Sequence, residues 1–463
     1  MFNEDVYVRR RSQLRKQVTS GLIILPGNDE SPRNFADNPY PFRQDSCFSY
    51  FFGIDQPGLV GIIDADDGTE CLFGDDPVLN EIVWTGPQLP LQEKCRQVGV
   101  AQTMATDRLV PGLEKAQRQG RTIHLLPQYR TDTILKLQRL LGLDSPQSVD
   151  QFISEILIRA VVAQRSVKVP EEIEQLESAV TITAEMHLTA MQRTHPGLYE
   201  YQVVGALEGV ALSRGAHPAF PTLFTIHGET LHNHYHGNLM QAGDIVVNDS
   251  GAESRLHYAG DITRTIPVCG TFTSRQKDIY TIVLNAQEKA IAAIQPGIEF
   301  RNIHRMACVS IMEGLNELGL VKGEANEAVN AGVHTLFFPC GLGHMLGLDV
   351  HDMEGLGEDF VGYTDTIQRN HQFGWRSLRL AKALEPGYVV TVEPGIYFIP
   401  ALIDRCKAEG KYAPYVDYQR VESYRDFGGI RIEDDVLVTE MGPRILGPPI
   451  PKTIDEVEAA CSY

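Results

Sequence analysis

Several short signatures that would settle a sequence at once are missing. No HExxH, GxSxG or Walker A phosphate loop occurs among the 463 residues, so the corresponding zinc-protease, serine-hydrolase and nucleotide readings fall away. There is no CxxC pair. The eight cysteines are dispersed at 47, 71, 95, 269, 308, 340, 406 and 461, which excludes a zinc ribbon or a thioredoxin-like motif. In a chain this long they do not read as a disulfide framework, and reduced thiols are expected. No apolar run approaches the ~18 residues of a spanning helix. The N-terminal residues carry no apolar signal core, so the expected location is cytoplasmic. Basic residues are outnumbered, 41 against 60 acidic, for a net charge of −19. That balance argues against unspecific binding to nucleic acid or an anionic membrane. Internal repeats and low-complexity segments are absent too.

What is present is a soluble-type chain long enough for two or three domains. The first ~165 residues alternate short apolar runs with turn signals, as in an α/β domain. Gly21 to Pro26 and Leu59 to Asp64 read as buried strands, and Cys71-Leu72-Phe73 as the hairpin partner of the second. The basic run Arg9-Arg10-Arg11 reads as a solvated helix face, and Gln151 to Gln164 as a helix. Pro170 opens another helix, with Glu171, Glu172 and Glu174 favouring its positive end. Ile173, Leu176, Val180, Ala184 and Met191 form its core stripe. The domain boundary falls near 165–170.

The informative half follows. Ile245 to Asp249, Tyr388 to Glu393 and Ile430 to Glu433 read as strands, each carrying an acid at or near its end. Asp261-Ile262-Thr263 adds a fourth acid, and Gly341-Leu342-Gly343-His344 an imidazole in a glycine-rich loop that lacks a dinucleotide context. Alternation puts Arg431 and Glu433 on one face, and Asp261 and Thr263 on one face. Taken singly, Asp249 reads as an Asx turn, Glu393 as a strand end and Glu433-Asp434-Asp435 as a solvated charge run. Jointly, lone buried carboxylates are costly, and four acids with one histidine suggest two divalent cations. Such a set suits Mn²⁺ or Co²⁺ and accepts Zn²⁺ or Fe²⁺. The reaction class is hydrolysis of a carbonyl or phosphoryl substrate.

These motifs carry a resemblance. Asp249-Ser250-Gly251 with Tyr258 to Thr265, the Gly341 to His344 loop, Thr391 to Tyr397 and Gly429 to Asp434 resemble the ligand motifs of the pita-bread metallopeptidases, in the family's order. Tyr40-Pro41-Phe42-Arg43-Gln44-Asp45-Ser46 is similar to the noncatalytic domain of aminopeptidase P and prolidase, so the resemblance covers nearly the whole chain. It implies an α/β N-terminal domain over 1–167 and an α+β pita-bread catalytic domain over 168–463. The implied activity is hydrolysis of the Xaa-Pro imide bond by a metal-bridging hydroxide, with two cations, Mn²⁺ first. Asp249, Asp261, His344, Glu393 and Glu433 are the implied ligands. Glu393 would assist proton transfer, His351 would contact the substrate near the scissile carbonyl, and His232 would lie beside the leaving proline. His234 and His236 are alternatives for that last role.

Arg376 to Ala381 and Tyr397 to Asp404 are similar to prolidase, and Arg379 matches the arginine that holds a dipeptide carboxylate. Arg431 and Cys340 complete the substrate-binding set. An Xaa-Pro dipeptidase is therefore the first reading and an Xaa-Pro aminopeptidase acting on longer peptides the alternative. A weakly active or inactive binding module of the same fold, and a creatinase-like amidinohydrolase, are the rivals. Expected partners are small peptides with proline second, in a homodimer, with no nucleic acid and no membrane. Two departures stand out. Asp249 and Asp261 are twelve apart (261 − 249 = 12), one more than the family spacing, which implies a bulge or a longer turn near Ser254-Arg255-Leu256. Cys340 stands where a histidine is expected, four residues before His344, and a thiol is a weaker hydrogen-bond partner.

Overall fold

The Leu22 to Pro26 run is apolar throughout, and every residue of it is buried. In the computed structural model, which describes residues 1–462, it is strand β1 (Leu22–Pro26), followed by β2 (Val60–Asp64), β3 (Glu70–Phe73), β4 (Gln102–Met104) and β5 (Ile123–His124). These form one sheet in the order β4-β3-β2-β1-β5. The β2–β3 hairpin closes through Asp64, whose carbonyl accepts from Gly68 N at 3.0 Å. A helix expected over 151–164 starts later, at Glu155, and runs to Ser166. The cause is local pairing. Leu125 donates to the Phe152 carbonyl at 2.9 Å and accepts from Ser154 N at 3.0 Å, which holds that segment extended until the helix can begin.

The chain divides into two compact units. One comprises Met1–Arg165 with Gly355–Phe360, the other Ser166–Glu354 with the residues from Val361 onward. The short 355–360 segment returns to the first unit from far along the chain, which a single linear boundary does not anticipate.

The basic run corrects an expectation. It lies on the helix Glu4–Gln17, but Arg10 and Arg11 are buried rather than solvated. Arg11 donates from Nη1 to the Phe51 carbonyl at 2.8 Å, from Nη2 to the Val98 carbonyl at 2.9 Å, and from Nε to Glu70 Oε2 at 2.6 Å. Arg10 donates to the Tyr50 carbonyl at 3.0 Å with its guanidinium 3.8 Å from the Tyr50 ring centroid. A planar fork with several donors can satisfy carbonyls that would otherwise be buried without partners, and sequence alone does not reveal those carbonyls.

In the second unit the helix Pro170–Arg193 has proline at its first turn, and Glu172 accepts from Val169 N at 3.2 Å. Leu176, Val180, Ala184 and Met191 are buried on it. The strands are β6 (Leu223–Thr225), β7 (Ile245–Ser250), β8 (Ile262–Pro267), β9 (Val389–Val392), β10 (Gly395–Tyr397), β11 (Gly429–Arg431), β12 (Asp434–Thr439) and β13 (Gly442–Ile445). They pair as β6-β7-β8, β13-β12-β9 and β10-β11.

The spacing between Asp249 and Asp261 resolves into a turn. Asp249 pairs with Thr263 and Ser250 with Ile262, and the same offset persists to the Glu253–Ala259 bridge. The strands therefore carry no bulge. Ser254 N donates to the Tyr258 carbonyl at 2.7 Å, which leaves Arg255, Leu256 and His257 as a three-residue tip. His257 adopts φ +67°, the left-handed conformation that ends such loops.

Arg11→Ala should leave the Phe51 and Val98 carbonyls buried without this donor and take from Glu70 its nearest cation. The expected loss is about 3–5 kcal/mol, read by urea unfolding. A loss indistinguishable from that of an exposed Arg9→Ala control would show that these contacts contribute nothing.

Candidate metal centre

One cavity of about 300 Å³ in the second unit is lined by Asp249, Asp261, His344, Glu393 and Glu433 together. Residues spread over 185 positions (433 − 249 + 1) reach it for separate physical reasons. On the β7–β8 ribbon, directly opposed residues share a face, so Asp249 and Thr263 project together, and Asp261 follows at the position opposite Gly251. A Cβ at Gly251 would lie 1.8 Å from the Gly260 carbonyl, so the close approach of the strands there requires glycine.

Glu393 and Glu433 occupy an interruption in pairing. Val392 pairs with Asp434 and Gly395 with Arg431, and between them Glu393-Pro394 faces Ile432-Glu433. Proline has no N–H to continue the ladder. The freed amides turn elsewhere: Glu393 N donates to the Leu342 carbonyl at 2.8 Å, and Glu433 N to the Thr263 carbonyl at 3.0 Å. The break thus ties both glutamates to the other two elements of the site.

His344 sits in a loop laid along β9, where a Cβ at Gly343 would meet the Thr391 carbonyl at 2.0 Å. The His344 amide donates to Thr391 Oγ1 at 3.1 Å. Its Nδ1 lies 3.0 Å from the Met345 carbonyl, which can only accept, so Nδ1 carries the proton. Nε2 then faces Asp261 Oδ2 at 3.4 Å and Glu393 Oε1 at 3.5 Å. A lone pair against two carboxylates is repulsive unless a proton or a cation lies between them. Burial opposes protonation of this imidazole, but the carboxylates of Asp261 and Glu393 outweigh it and move its pKa upward.

The carboxylates show the same strain. Donor atoms of Asp261, His344 and Glu433 lie within 4.8 Å of one another. Burial, then mutual repulsion, raises Glu433 well above the usual range. Glu393 is raised by burial, and Asp249 is pushed up to about 7 by burial against the pull of Arg431. Asp249 Oδ2 accepts from Arg431 at 2.6 Å, while its Oδ1 is buried without a hydrogen-bond partner. One oxygen held and one left over, beside a bare imidazole nitrogen, is a donor set that fits divalent cations.

Of the remaining residues singled out in the sequence, His232, His351, Cys340 and Arg431 also line the cavity. Arg431 donates to Asp249, to Thr263 Oγ1 at 3.1 Å and to the Tyr397 hydroxyl at 3.0 Å; Thr263 in turn donates to Glu433 at 2.6 Å. His234 lines the cavity beside His232, whereas His236 Nδ1 lies 3.2 Å from the Phe224 carbonyl and is not in the wall. The Cys340 thiol is pushed up to about 12 by burial and by Glu393, so it stays protonated. Glu433-Asp434-Asp435, read singly as a solvated charge run, is buried throughout. Asp434 accepts from Arg264 at 2.7 Å, and Asp435 accepts from the Asp261 amide at 2.9 Å.

Arg379 stands at the edge of the cavity, where its charge acts on the lining residues His232, His351 and Glu393. It meets Glu354 Oε1 at 2.9 Å, and Glu354 Oε2 lies 2.6 Å from His351 Nδ1. Glu354 thus ties His351 to Arg379, and sequence reasoning did not single it out. The available signal was its position three residues after His351.

The sequence profile of metallopeptidase family M24 matches residues 174–440, and that of the aminopeptidase P N-terminal domain matches residues 7–124. The chain is 32% identical to the Xaa-Pro dipeptidase of Homo sapiens, over 96% of this chain and 90% of that one. It is 33% identical to the Xaa-Pro aminopeptidase of Escherichia coli, over 98% and 96%. Among solved structures, proline aminopeptidase P II from Yersinia pestis superposes with a TM-score of 0.81 at 29% identity, covering 99% of each chain. Zinc-substituted Escherichia coli aminopeptidase P in complex with product gives 0.80 at 31%, covering 99% and 98%. The fold is therefore the α+β pita-bread catalytic domain preceded by the α/β N-terminal domain.

The raised carboxylates predict a pH-dependent gain from cations. An acid whose folded pKa is raised stabilises the fold below its ordinary value and loses that contribution as pH rises through the folded value. For Asp249 the window runs from 3.8 to about 7. Across it, the Tm difference between Mn²⁺-loaded and metal-free protein should widen with rising pH. A difference that is flat or shrinks across the window contradicts the crowding described.

Proposed function

The chain belongs to metallopeptidase family M24, and on that premise we propose that it cleaves the bond before a proline in the second position of a peptide, as an Xaa-Pro dipeptidase. The observation that carries a metallohydrolase reading is the convergence of Asp249, Asp261, His344, Glu393 and Glu433 on one cavity. Two divalent cations held there would lower the pKa of water and polarise the scissile carbonyl. Mn²⁺ is the first candidate, with Co²⁺, Zn²⁺ and Fe²⁺ compatible with the donors.

The chain's own residues do the rest. Asp249, Asp261, His344, Glu393 and Glu433 would hold the cations, with Arg431 and Thr263 fixing the orientation of Asp249 and Glu433. Glu393 would take a proton from the attacking water and deliver it to the proline nitrogen. That nitrogen carries no hydrogen before cleavage and cannot leave unprotonated. Nδ1 of His351 is engaged by Glu354, so Nε2 is the atom offered to the substrate near its carbonyl. His232 and His234 stand on the other loop of the wall, and His232 is our choice beside the leaving residue. Phe220, Pro221, Leu223, Leu231 and Val350 give the cavity an apolar side, suited to a pyrrolidine ring. Cys340 provides a neutral, weak donor at the wall. The eight free cysteines support a reducing, cytoplasmic setting. A homodimer is the proposed assembly, and sedimentation decides it.

The second reading, an Xaa-Pro aminopeptidase taking longer peptides, is favoured by the engagement of Arg379. Its guanidinium is already paired with Glu354 at 2.9 Å, whereas a dipeptidase needs it for the substrate carboxylate.

Chelation should abolish hydrolysis of Xaa-Pro substrates, and Mn²⁺ or Co²⁺ should restore it. Glu393→Ala should fold and lose turnover by about 10²–10⁴-fold, the usual range for a general acid-base group. Normal turnover in that variant would remove Glu393 from the chemistry.

Peptide length is decided at Arg379. Loss of a charge-assisted pair costs ~1.5–3 kcal/mol, so Arg379→Ala should raise KM for dipeptides roughly ten- to a hundred-fold, far more than for longer peptides. Equal effects on both lengths would transfer the assignment to the aminopeptidase reading.

A further inference from the structure

Away from the acidic cavity, the second unit buries another set of donors. The helix Phe300–Glu317 carries His304 and Cys308, one turn apart and so on one face. The short 3₁₀ turn Val333–Leu336 brings His334 against them. Relative exposures are 0% for His304, 0% for Cys308 and 1% for His334. Donor atoms of the three lie within 4.8 Å of one another. None of the three lines the acidic cavity.

The hydrogen bonding of this cluster is incomplete. Nδ1 of His304 and both ring nitrogens of His334 are buried without a hydrogen-bond partner. The Val329 backbone offers one His334 nitrogen a hydrogen bond, too loose to satisfy it by ordinary distance and angle. Trp375 packs perpendicular to both rings, with centroids 4.8 Å from His304 and 5.6 Å from His334, and Phe338 lies 5.7 Å from His304. An aromatic face can receive an N–H. It cannot satisfy the lone pair on the other nitrogen of a neutral imidazole, so with Val329 beside one nitrogen of His334 the second stays unmet. Buried polar atoms without partners carry a desolvation cost, and an unmet His334 nitrogen beside Cys308 and His304 calls for an occupant.

The spacing fits a metal. With Zn–S of about 2.3 Å and Zn–N of about 2.0–2.1 Å, a tetrahedral S-to-N edge is about 3.6 Å. Cys308 Sγ and His304 Nε2 are 3.6 Å apart. We propose that His304, Cys308 and His334 bind a thiolate-accepting cation of the zinc class, at a structural site distinct from the acidic centre. Two imidazoles and one thiolate are softer than the four carboxylates of the cavity and select differently. Burial keeps both imidazoles neutral, which is the ligating form, and raises the Cys308 thiol, whose proton a bound cation would have to displace. The bound ion would pin the Val333–Leu336 turn to the long helix, a few residues ahead of the loop that carries His344.

Cobalt distinguishes the two centres, because a thiolate gives a near-ultraviolet charge-transfer band with Co²⁺ that carboxylates and imidazoles do not. Full-length protein stripped by chelation and titrated with Co²⁺ should show this band and bind one cation per chain beyond those in the acidic cavity. Asp261→Asn should lose cavity cations and keep the band. Cys308→Ser should lose the band and one cation while retaining Mn²⁺-dependent hydrolysis. His334→Gln, a second variant for the case that Cys308→Ser misfolds, should do the same. If the wild-type protein shows no such band, or if Cys308→Ser keeps the band and the full stoichiometry, the cluster is an aromatic packing contact and the site does not exist.

Discussion

Four carboxylates cannot share a buried cavity unless positive charge is brought to them, and the second unit is arranged around that constraint. Asp249, Asp261, Glu393 and Glu433 face one guanidinium, Arg431, and one imidazole, His344. The protein supplies partial compensation. Arg431 holds one oxygen of Asp249, Thr263 holds Glu433, and the Asp435 carboxylate anchors the Asp261 amide. What is left over is a buried Asp249 oxygen without a partner and an imidazole nitrogen turned towards two acids. Both are unfavourable in isolation, and both become favourable around a cation.

The same constraint explains the irregular sheets. A continuous ladder between Tyr388–Tyr397 and Gly429–Thr439 would consume the amides of Glu393 and Glu433 in strand pairing. Pro394 interrupts it, and each freed amide binds a different neighbour, the His344 loop in one case and β8 in the other. Irregular pairing is thus the means by which three separate segments are tied together. Gly251 and Gly343 serve the same end, because backbone atoms approach to within distances no Cβ could tolerate.

Around the acidic cavity, hydrogen bonds fix the orientation of side chains. Glu354 engages Nδ1 of His351 with one oxygen and Arg379 with the other, so the imidazole and the guanidinium are mechanically linked. In the first unit, Arg10 and Arg11 do comparable structural service, closing carbonyls of Tyr50, Phe51 and Val98.

The sequence by itself supplied the candidate donors and their order: strand patterning, glycine-rich loops and acids at strand ends are local properties that singled out Asp249, Asp261, His344, Glu393 and Glu433, and the resemblance to the pita-bread metallopeptidases implied them as a ligand set. The paired strands of the first unit were legible for the same reason, since apolar alternation and turn residues act over a few positions. Tertiary structure decided what depends on partners distant in the chain. Whether Arg11 is solvated depends on carbonyls up to 88 positions away, and whether Glu433-Asp434-Asp435 is a surface run depends on Arg264 and Asp261. Placing the extra residue between Asp249 and Asp261 in the turn required the strand register. The meeting of His304 and Cys308 with His334 required the path of the chain after its helix. In each case the residue type was visible beforehand, but the energy of a buried charge or an unmet nitrogen is set by what surrounds it, and only the folded chain supplies those surroundings.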